Sequence, residues 1–214
     1  MSKALEIYCP AKLNLFLHIV GRREDGYHQL QSVFQLIDWC DVLTLKPISE
    51  NEIRRINPIP GVPPEQDLVV RAAQVLKDFC KINQGVEIGL KKMIPMGAGL
   101  GGGSSDAAST LIGLNTLWDL HLDIATLSQL GLKLGADVPF FIFGQNAFVE
   151  GVGERLQAIS LETQDFVVIF PNKGIATAQI FQDPQLTRDH APITIDGFLA
   201  SPRSYQSNDC QAVA

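Results

Sequence analysis

The sequence predicts an α+β protein, and three observations carry that prediction. Leucine or isoleucine occupies every second position from 13 to 19, which is the period of a half-buried strand. Apolar residues recur at helical spacing between positions 68 and 79. A glycine-dense stretch, residues 95–105, lies between a short apolar strand and a run of small, helix-forming residues. Both kinds of element are therefore expected in one chain.

The predicted strands follow from apolar runs. Residues 5–20 form the first, and the Asp25-Gly26 pair after it is a hairpin signal. The other predicted strands are residues 33–45, 86–90, 147–149 and 166–170.

The predicted helices span residues 67–82, 105–120 and 123–135, with a short helix or turn opening at residue 137. Asp67 and Asp123 are suited to cap the helices that they precede. Asn83-Gln84-Gly85 stops the first helix, and Gly135 ends the third.

The composition excludes several classes of protein. The chain has 214 residues, of which 46% are hydrophobic and 19% charged, so it can fill the core of one or two domains. The net charge of −6, without a basic stripe, argues against a general nucleic-acid binder. No apolar run reaches the roughly 18 residues of a membrane helix, and we expect no membrane partner.

The four cysteines are scattered and form no CxxC pair, so neither a zinc site nor a disulfide scaffold is expected. The N-terminus leaves no room for a secretory or transit peptide. We therefore expect a protein of the reducing cytoplasm.

The domain boundary is predicted near Gly153, giving domains of residues 1–153 and 154–214. The second, of about 60 residues, is marginal for an independent core. Residues 207–214 resemble the first turn of a helix. We therefore expect the second domain to be truncated.

The glycine-dense stretch carries the strongest chemical signal. Five glycines within residues 97–103 let a backbone approach a ligand closely, and Ser104 and Ser105 follow them. Backbone N–H groups at a helix start suit a phosphate, and Lys92 just upstream could neutralise its charge. A flexible turn is the alternative, but so many glycines are costly for a turn alone.

Two common nucleotide loops fit poorly. The stretch lacks the GK[ST] ending of a Walker P-loop. Gly97, Gly99 and Gly102 satisfy GxGxxG, but Asp119 and Asp123 lie between two predicted helices rather than after a strand. A dinucleotide fold is therefore not favoured.

Two further polar residues are ambiguous on their own. Lys12 and Asn14 share a strand face, for which a solvated polar face is the simpler interpretation. Asp137, two residues before Pro139, could simply cap a short helix.

Taken together, the motifs resemble the GHMP family of small-molecule kinases, and the resemblance spans residues 11–214. The segments that carry it are PAKLNLFL (10–17), DGYH (25–28), PMGAGLGGGSSDAA (95–108), LGADVPFF (134–141) and EGVGE (150–154). It implies a ribosomal-protein-S5-like N-terminal domain and a ferredoxin-like C-terminal domain. The family's third glycine-rich motif would lie beyond the chain's last residue, which again leads us to expect truncation.

The resemblance implies transfer of a phosphoryl group from ATP to the 2-hydroxyl of a cytidine diphosphate-linked methylerythritol, a step of non-mevalonate isoprenoid biosynthesis. It implies Asp137 as the catalytic base and Lys12 as the second catalytic residue. Mg²⁺ is expected with ATP; Ser105 could be a ligand, or its hydroxyl could cap the helix. The residues assigned to ATP are Lys92, Pro95, Met96, Gly97, Ala98, Gly99, Leu100, Gly101, Gly102, Gly103, Ser104 and Ser105.

For the substrate, the resemblance implies that Tyr27 and Phe181 sandwich the cytosine, that His28 hydrogen-bonds the base and that Asn14 lines the pocket. Without it, Phe181 would be taken as a core aromatic and His28 as a turn residue. Asp67 stands where close relatives often carry asparagine near the adenine, so the adenine contacts stay open.

Two alternatives remain beside this function. One is a truncated, non-catalytic nucleotide-binding remnant, which would bind nucleotide without turnover. The other is a GHMP kinase for a different alcohol, such as homoserine or mevalonate, against which the Tyr27-His28 pair argues. No obligate protein partner is expected.

Overall fold

A computed structural model describes residues 4–171, 173–174 and 177–214. Its strands are β1 (Leu5–Arg22), β2 (His28–Ile48), β3 (Ile53–Arg55), β4 (Gly85–Lys91), β5 (Ala147–Gly151) and β6 (Arg155–Ala158). Its helices are α1 (Leu68–Cys80), α2 (Gly102–Leu117), α3 (Ile124–Leu132), α4 (Val138–Phe143), α5 (Thr177–Gln182) and α6 (Ile195–Ala200). The predicted α+β class is confirmed. Within these described ranges, no helix is both long and apolar enough to cross a bilayer.

The chain folds into two compact units and passes between them several times. Unit one is made of Met1–Ala11, Ile37–Pro95 and Gly101–Gly144. Unit two is made of Lys12–Leu36, Met96–Leu100 and Gln145–Ala214. Strands β1 and β2 each contribute residues to both units.

Unit one combines a sheet with helices α1 to α4. Residues 42–48 of β2 pair antiparallel with β4, and β3 pairs parallel with β4. Helix α1 contacts α2, which in turn contacts α3 and α4. Asp67 accepts a hydrogen bond from the backbone N–H of Val69, and Asp123 accepts one from Thr126. Both predicted helix caps are therefore confirmed.

Helix α2 is buried on nearly every side, so its sequence is rich in small residues rather than amphipathic. A Cβ on Gly113 would come within 2.6 Å of the Cδ1 atoms of both Ile7 and Leu45. Only glycine lets the helix lie this close to its neighbours. The helix that follows the glycine-dense stretch is thus a fixed part of unit one.

Unit two is built on the other half of β2. Residues 30–34 of β2 pair antiparallel with β5, and β5 pairs antiparallel with β6. Phe16, Val33, Phe148 and Phe198 form its buried apolar cluster, and the ring centroids of Phe16 and Phe198 lie 5.4 Å apart.

The two faces of β1 differ from the expectation. Phe16 and His18 are each only 1% exposed and Lys12 is 6% exposed, so the face they share is buried. Leu15 and Leu17 on the opposite face are half-buried. The simpler interpretation of Lys12 as part of a solvated face is therefore wrong, because Phe16 draws that face into the core of unit two.

The second half of β1 is bound to a segment far along the chain. Leu17 donates to the carbonyl of Ser207 and accepts from Asp209, over N···O distances of 3.0 and 2.9 Å. The Asp209 carboxylate accepts from Ile19 N–H at 2.7 Å. The ring of His18 stacks on that of His190, with centroids 3.5 Å apart.

The strand predicted at residues 166–170 is wrong. The described residues of this region form no strand, and Val167 and Ile169 are 92% and 87% exposed. An apolar run becomes a strand only where a neighbouring strand satisfies its backbone hydrogen bonds.

The buried cluster of unit two should dominate its stability. Phe198→Ala removes a ring that is 1% exposed, and we expect the free energy of unfolding to fall by about 3–5 kcal/mol in urea denaturation. Phe79→Ala removes a ring that is 51% exposed and should change it by less than about 1 kcal/mol. Equal losses from the two variants would contradict the described packing.

Candidate active site

The glycine-dense loop has the backbone that its sequence predicts. Gly97 and Gly99 have φ of +73° and +74°, in the left-handed region that residues with a Cβ rarely adopt. A Cβ on Gly97 would lie 3.3 Å from the Cα of Gly174. A Cβ on Gly99 would meet no described heavy atom within 4 Å, so the backbone there is open to a ligand.

In unit two the loop is joined to β1, at the first residue of the part of this strand that belongs to the unit. The backbone N–H of Lys12 donates to the carbonyl of Leu100 at 2.9 Å. The Lys12 ammonium donates to Asn14 Oδ1 at 2.5 Å and lies 4.7 Å from the centroid of the Phe34 ring. Unit two thus brings together three of the residues that were assigned from the sequence, namely Lys12, Asn14 and Leu100.

In unit one, Lys92 lies at the first turn of α2. Its ammonium contacts Asp106 at 2.8 Å and also contacts Asp41. One oxygen of Asp41 accepts the backbone N–H groups of Met93 and Ile94 at 2.5 and 2.8 Å. We call Asp41, Lys92 and Asp106 the buried charge cluster.

Burial sets the protonation of this cluster. Burial raises the pKa of Asp106 to about 7, against the lowering effect of the Lys92 charge. Burial alone would lower the pKa of Lys92, but the charges and hydrogen bonds of Asp106 and Asp41 outweigh it and leave that pKa raised. Lys92 is therefore charged and already in contact with the side chains of Asp41 and Asp106, and its contact with phosphate stays a prediction.

The two serines that follow the glycines occupy different environments. Helix α2 begins after Gly101 and has no side-chain cap, so the predicted capping role of Ser105 is wrong. The Ser105 hydroxyl is buried, and the described residues give it no hydrogen-bond partner. A Cβ on Gly135 would lie 3.7 Å from the Ser104 hydroxyl, so Ser104 lies beside the turn that leads to Asp137.

Asp137 immediately precedes α4, which carries Pro139 in its first turn. Its backbone is helical, with φ −83° and ψ −13°, and among the described residues its side chain accepts no capping hydrogen bond from this helix. The interpretation of Asp137 as a simple cap is therefore wrong.

The residues expected to bind the base lie in unit two. The His28 and Phe181 rings are stacked, with centroids 5.1 Å apart and planes inclined by 28°. Tyr27 is 65% exposed beside the predicted turn, where Gly26 has a φ of +88°. His28, Phe181 and Tyr27 are thus described in the same unit, and the first two are in contact.

Sequence reasoning missed Arg188. Its Nε donates to Nε2 of His28 at 3.0 Å. The two residues are 160 positions apart, so no local pattern relates them. Only the fold reveals this contact.

The described residues contain no group of three or more His, Cys, Asp or Glu side chains arranged to hold a metal ion. Mg²⁺ is usually held by one or two carboxylates together with substrate phosphates and water, so the ion expected with ATP stays a prediction.

The raised pKa of Asp106 predicts how stability depends on pH. The folded state holds the Asp106 proton up to about pH 7, whereas the unfolded chain releases it near pH 4. Stability should therefore fall as the pH rises between these values. The free energy of unfolding, measured with urea, should fall by about 2 kcal/mol more in the unsubstituted chain than in Asp106→Asn between pH 5 and pH 8.

Asp123→Asn is the matched control. The pKa of Asp123 is lowered by the N–H of Thr126, so this carboxylate is ionised throughout that pH range. The difference in the free energy of unfolding between Asp123→Asn and the unsubstituted chain should therefore be the same at pH 5 and pH 8. A pH-independent difference for Asp106→Asn would contradict the assigned ionisation.

Comparison with known proteins supplies the family. The GHMP kinases N-terminal domain model matches residues 67–145. The chain is 78% identical over 213 residues to a 4-diphosphocytidyl-2-C-methyl-D-erythritol kinase of Polynucleobacter asymbioticus, covering 100% of this chain and 72% of that protein. It is 56% identical over 211 residues to the kinase of the same name from Burkholderia thailandensis, covering 95% and 72%.

Among solved structures, the chain is similar to a crystal structure of 4-(cytidine 5'-diphospho)-2C-methyl-D-erythritol kinase. The TM-score is 0.79 and the identity 34%, over 97% of this chain and 76% of that one. The expected GHMP kinase architecture is thereby confirmed. The chain belongs to the 4-diphosphocytidyl-2-C-methyl-D-erythritol kinase family of GHMP kinases.

Proposed function

We propose that this chain transfers the γ-phosphoryl group of ATP to the 2-hydroxyl of 4-diphosphocytidyl-2-C-methyl-D-erythritol, in non-mevalonate isoprenoid biosynthesis. The observation that carries the proposal is the 78% identity, over the whole chain, to a kinase named for that substrate. The presence of each assigned motif residue, from Lys12 to Phe181, supports it.

Asp137 is the proposed general base. An alcohol is a poor nucleophile, so a carboxylate that takes its proton assists attack on phosphorus. The new O–P bond forms as the bond from the γ-phosphorus to the bridging oxygen of ADP breaks, and the hydroxyl proton passes to Asp137.

Lys12 is the proposed second catalytic residue. Its ammonium stabilises negative charge on the reacting oxygens, and positioning with charge stabilisation supplies most of the catalysis in phosphoryl transfer. The hydrogen bond to Asn14 and the buried stem hold the ammonium in one place. Asn14, which is proposed to line the substrate pocket, therefore also positions Lys12.

The glycine-dense loop and the first turn of α2 are the proposed binding site for the ATP phosphates. The open backbone at Gly99 and the unpartnered, buried Ser105 hydroxyl, assessed among the described residues, support this assignment. Backbone N–H groups and the helix dipole suit the anionic phosphates. Mg²⁺ is proposed to accompany ATP, where it would offset phosphate charge.

Tyr27, His28 and Phe181 are the proposed cytosine site. The contact between the His28 and Phe181 rings supports it, because a ring platform with a hydrogen-bonding edge is how proteins select a base.

Two wider proposals complete this assignment. The domain boundary is proposed near Gly153. A cytoplasmic location is proposed because Cys9, Cys40, Cys80 and Cys210 are all free thiols, as in proteins of reducing compartments.

The reaction predicts that ADP release from Mg-ATP depends on the substrate and on Asp137. Asp137→Asn should lower kcat at least roughly 100-fold, since it removes the base. Asp119→Asn, which changes a carboxylate that is 84% exposed, should leave kcat unchanged. A coupled assay for ADP, with and without substrate, measures both.

Each outcome of that assay is informative. Substrate-independent ADP release, or full activity in Asp137→Asn, would contradict the proposed reaction. Nucleotide binding without turnover would favour a non-catalytic remnant.

The proposed cytosine site predicts that CMP competes with the substrate. Phe181→Ala should raise KM and the inhibition constant of CMP by roughly tenfold or more, the size of one lost base stack, with a smaller effect on kcat. Phe79→Ala, in unit one, should change neither. Failure of CMP to compete would favour a GHMP kinase acting on another alcohol.

A further inference from the structure

We propose that Arg188 is a positioning residue that fixes the tautomer of His28 and thereby selects cytosine over uracil. The inference rests on the proposed function, since it deepens the role of the base site. It starts from one contact: Arg188 Nε and His28 Nε2 are 3.0 Å apart.

Arg188 is held by several hydrogen bonds at once. Its Nη1 donates to the carbonyl of Leu186 at 2.9 Å. Its Nη2 donates to the carbonyl of Asp183 at 2.7 Å and to that of Phe181 at 3.3 Å. A planar guanidinium fork bound at both ends has little freedom to rotate. Its Nε–H is therefore aimed at His28 by the same backbone turn that carries Phe181.

The direction of the Arg188–His28 bond follows from the chemistry of arginine. A guanidinium keeps its charge in proteins and has only donors, so it cannot accept a hydrogen bond. His28 Nε2 must therefore be the acceptor and carry no proton. A neutral imidazole then carries its single proton on Nδ1.

Burial and the neighbouring positive charges both favour the neutral form of His28. Burial lowers the pKa of His28, and the positive charges of Arg188 and Arg22 lower it further. His28 is thus neutral at pH 7. Among the described residues, Nδ1 forms no hydrogen bond, so its N–H is available to a ligand.

A single fixed donor discriminates between the two pyrimidines. Cytosine has a bare, accepting N3 beside its O2, whereas uracil carries a proton on N3. An Nδ1–H aimed at N3 therefore forms a hydrogen bond with cytosine but opposes a second donor in uracil. A site that leaves a polar group unpaired rejects the wrong ligand more strongly than one that merely fits poorly. If His28 could change tautomer, Nδ1 would become an acceptor and this discrimination would be lost.

The first test needs no catalysis. In the unsubstituted protein labelled with ¹⁵N-histidine, NMR at pH 7.5 should show His28 with its proton on Nδ1, assigned by the loss of its signal in His28→Gln. In Arg188→Met, which removes every donor, the Nε2–H form should appear. Arg188→Lys retains one charged donor and should shift the tautomer less.

The second test measures selectivity. We expect Arg188→Met to reduce the preference for CMP over UMP in calorimetric binding by about tenfold, the size of one lost hydrogen bond. The ratio of kcat/KM for the cytidine- and uridine-linked substrates should fall by the same factor. Arg188→Lys should recover part of both.

Two results would overturn the inference. One is a proton on Nε2 of His28 in the unsubstituted protein, a measurement that is independent of whether any variant folds. The other is an equal loss of CMP and UMP binding in Arg188→Met. Absence of turnover with CMP preference retained would instead overturn the proposed reaction alone.

Discussion

The ammonium of Lys92 contacts the side chains of Asp41 and Asp106 and thereby ties the end of β4 to the first turn of the buried helix α2. An unpaired carboxylate at the first turn of a buried helix would cost several kcal/mol. Asp41 also fixes the backbone here, because it accepts hydrogen bonds from the N–H groups of Met93 and Ile94, the two residues that follow Lys92. The chain entering the glycine-dense loop and the helix leaving it are thus fixed by one set of charges.

Unit two follows a comparable arrangement around Arg188. There a cation without an acidic partner in the described contacts is satisfied by three backbone carbonyls and a neutral imidazole. In each unit a partly buried cation thus holds the polar groups around it, and in unit two one of these groups is His28, which is proposed to bind the cytosine. A residue such as Arg188 determines how well a site is preorganised without contacting the ligand itself.

Local signals in the sequence predicted most of the elements. Helical periodicity and the caps at Asp67 and Asp123 located α1 and α3, because their causes lie within one turn of the chain. The failures share another cause. The strand at residues 166–170 needed a partner strand, the buried face of β1 needed Phe198, and the role of Arg188 needed a histidine 160 positions away. Long-range contacts such as these leave no local pattern to read.

The bond between Ile19 and Asp209 joins residues 190 positions apart, and it bears on how the chain is made. A ribosome completes β1 long before residues 207–209 emerge to cover it. At roughly 5–20 residues per second, this part of the strand waits on the order of ten to forty seconds without its final neighbour. Throughout that interval it presents an unpaired edge, on which association with other chains can begin. Unit two therefore closes over this strand edge only when synthesis of the chain has reached residue 209.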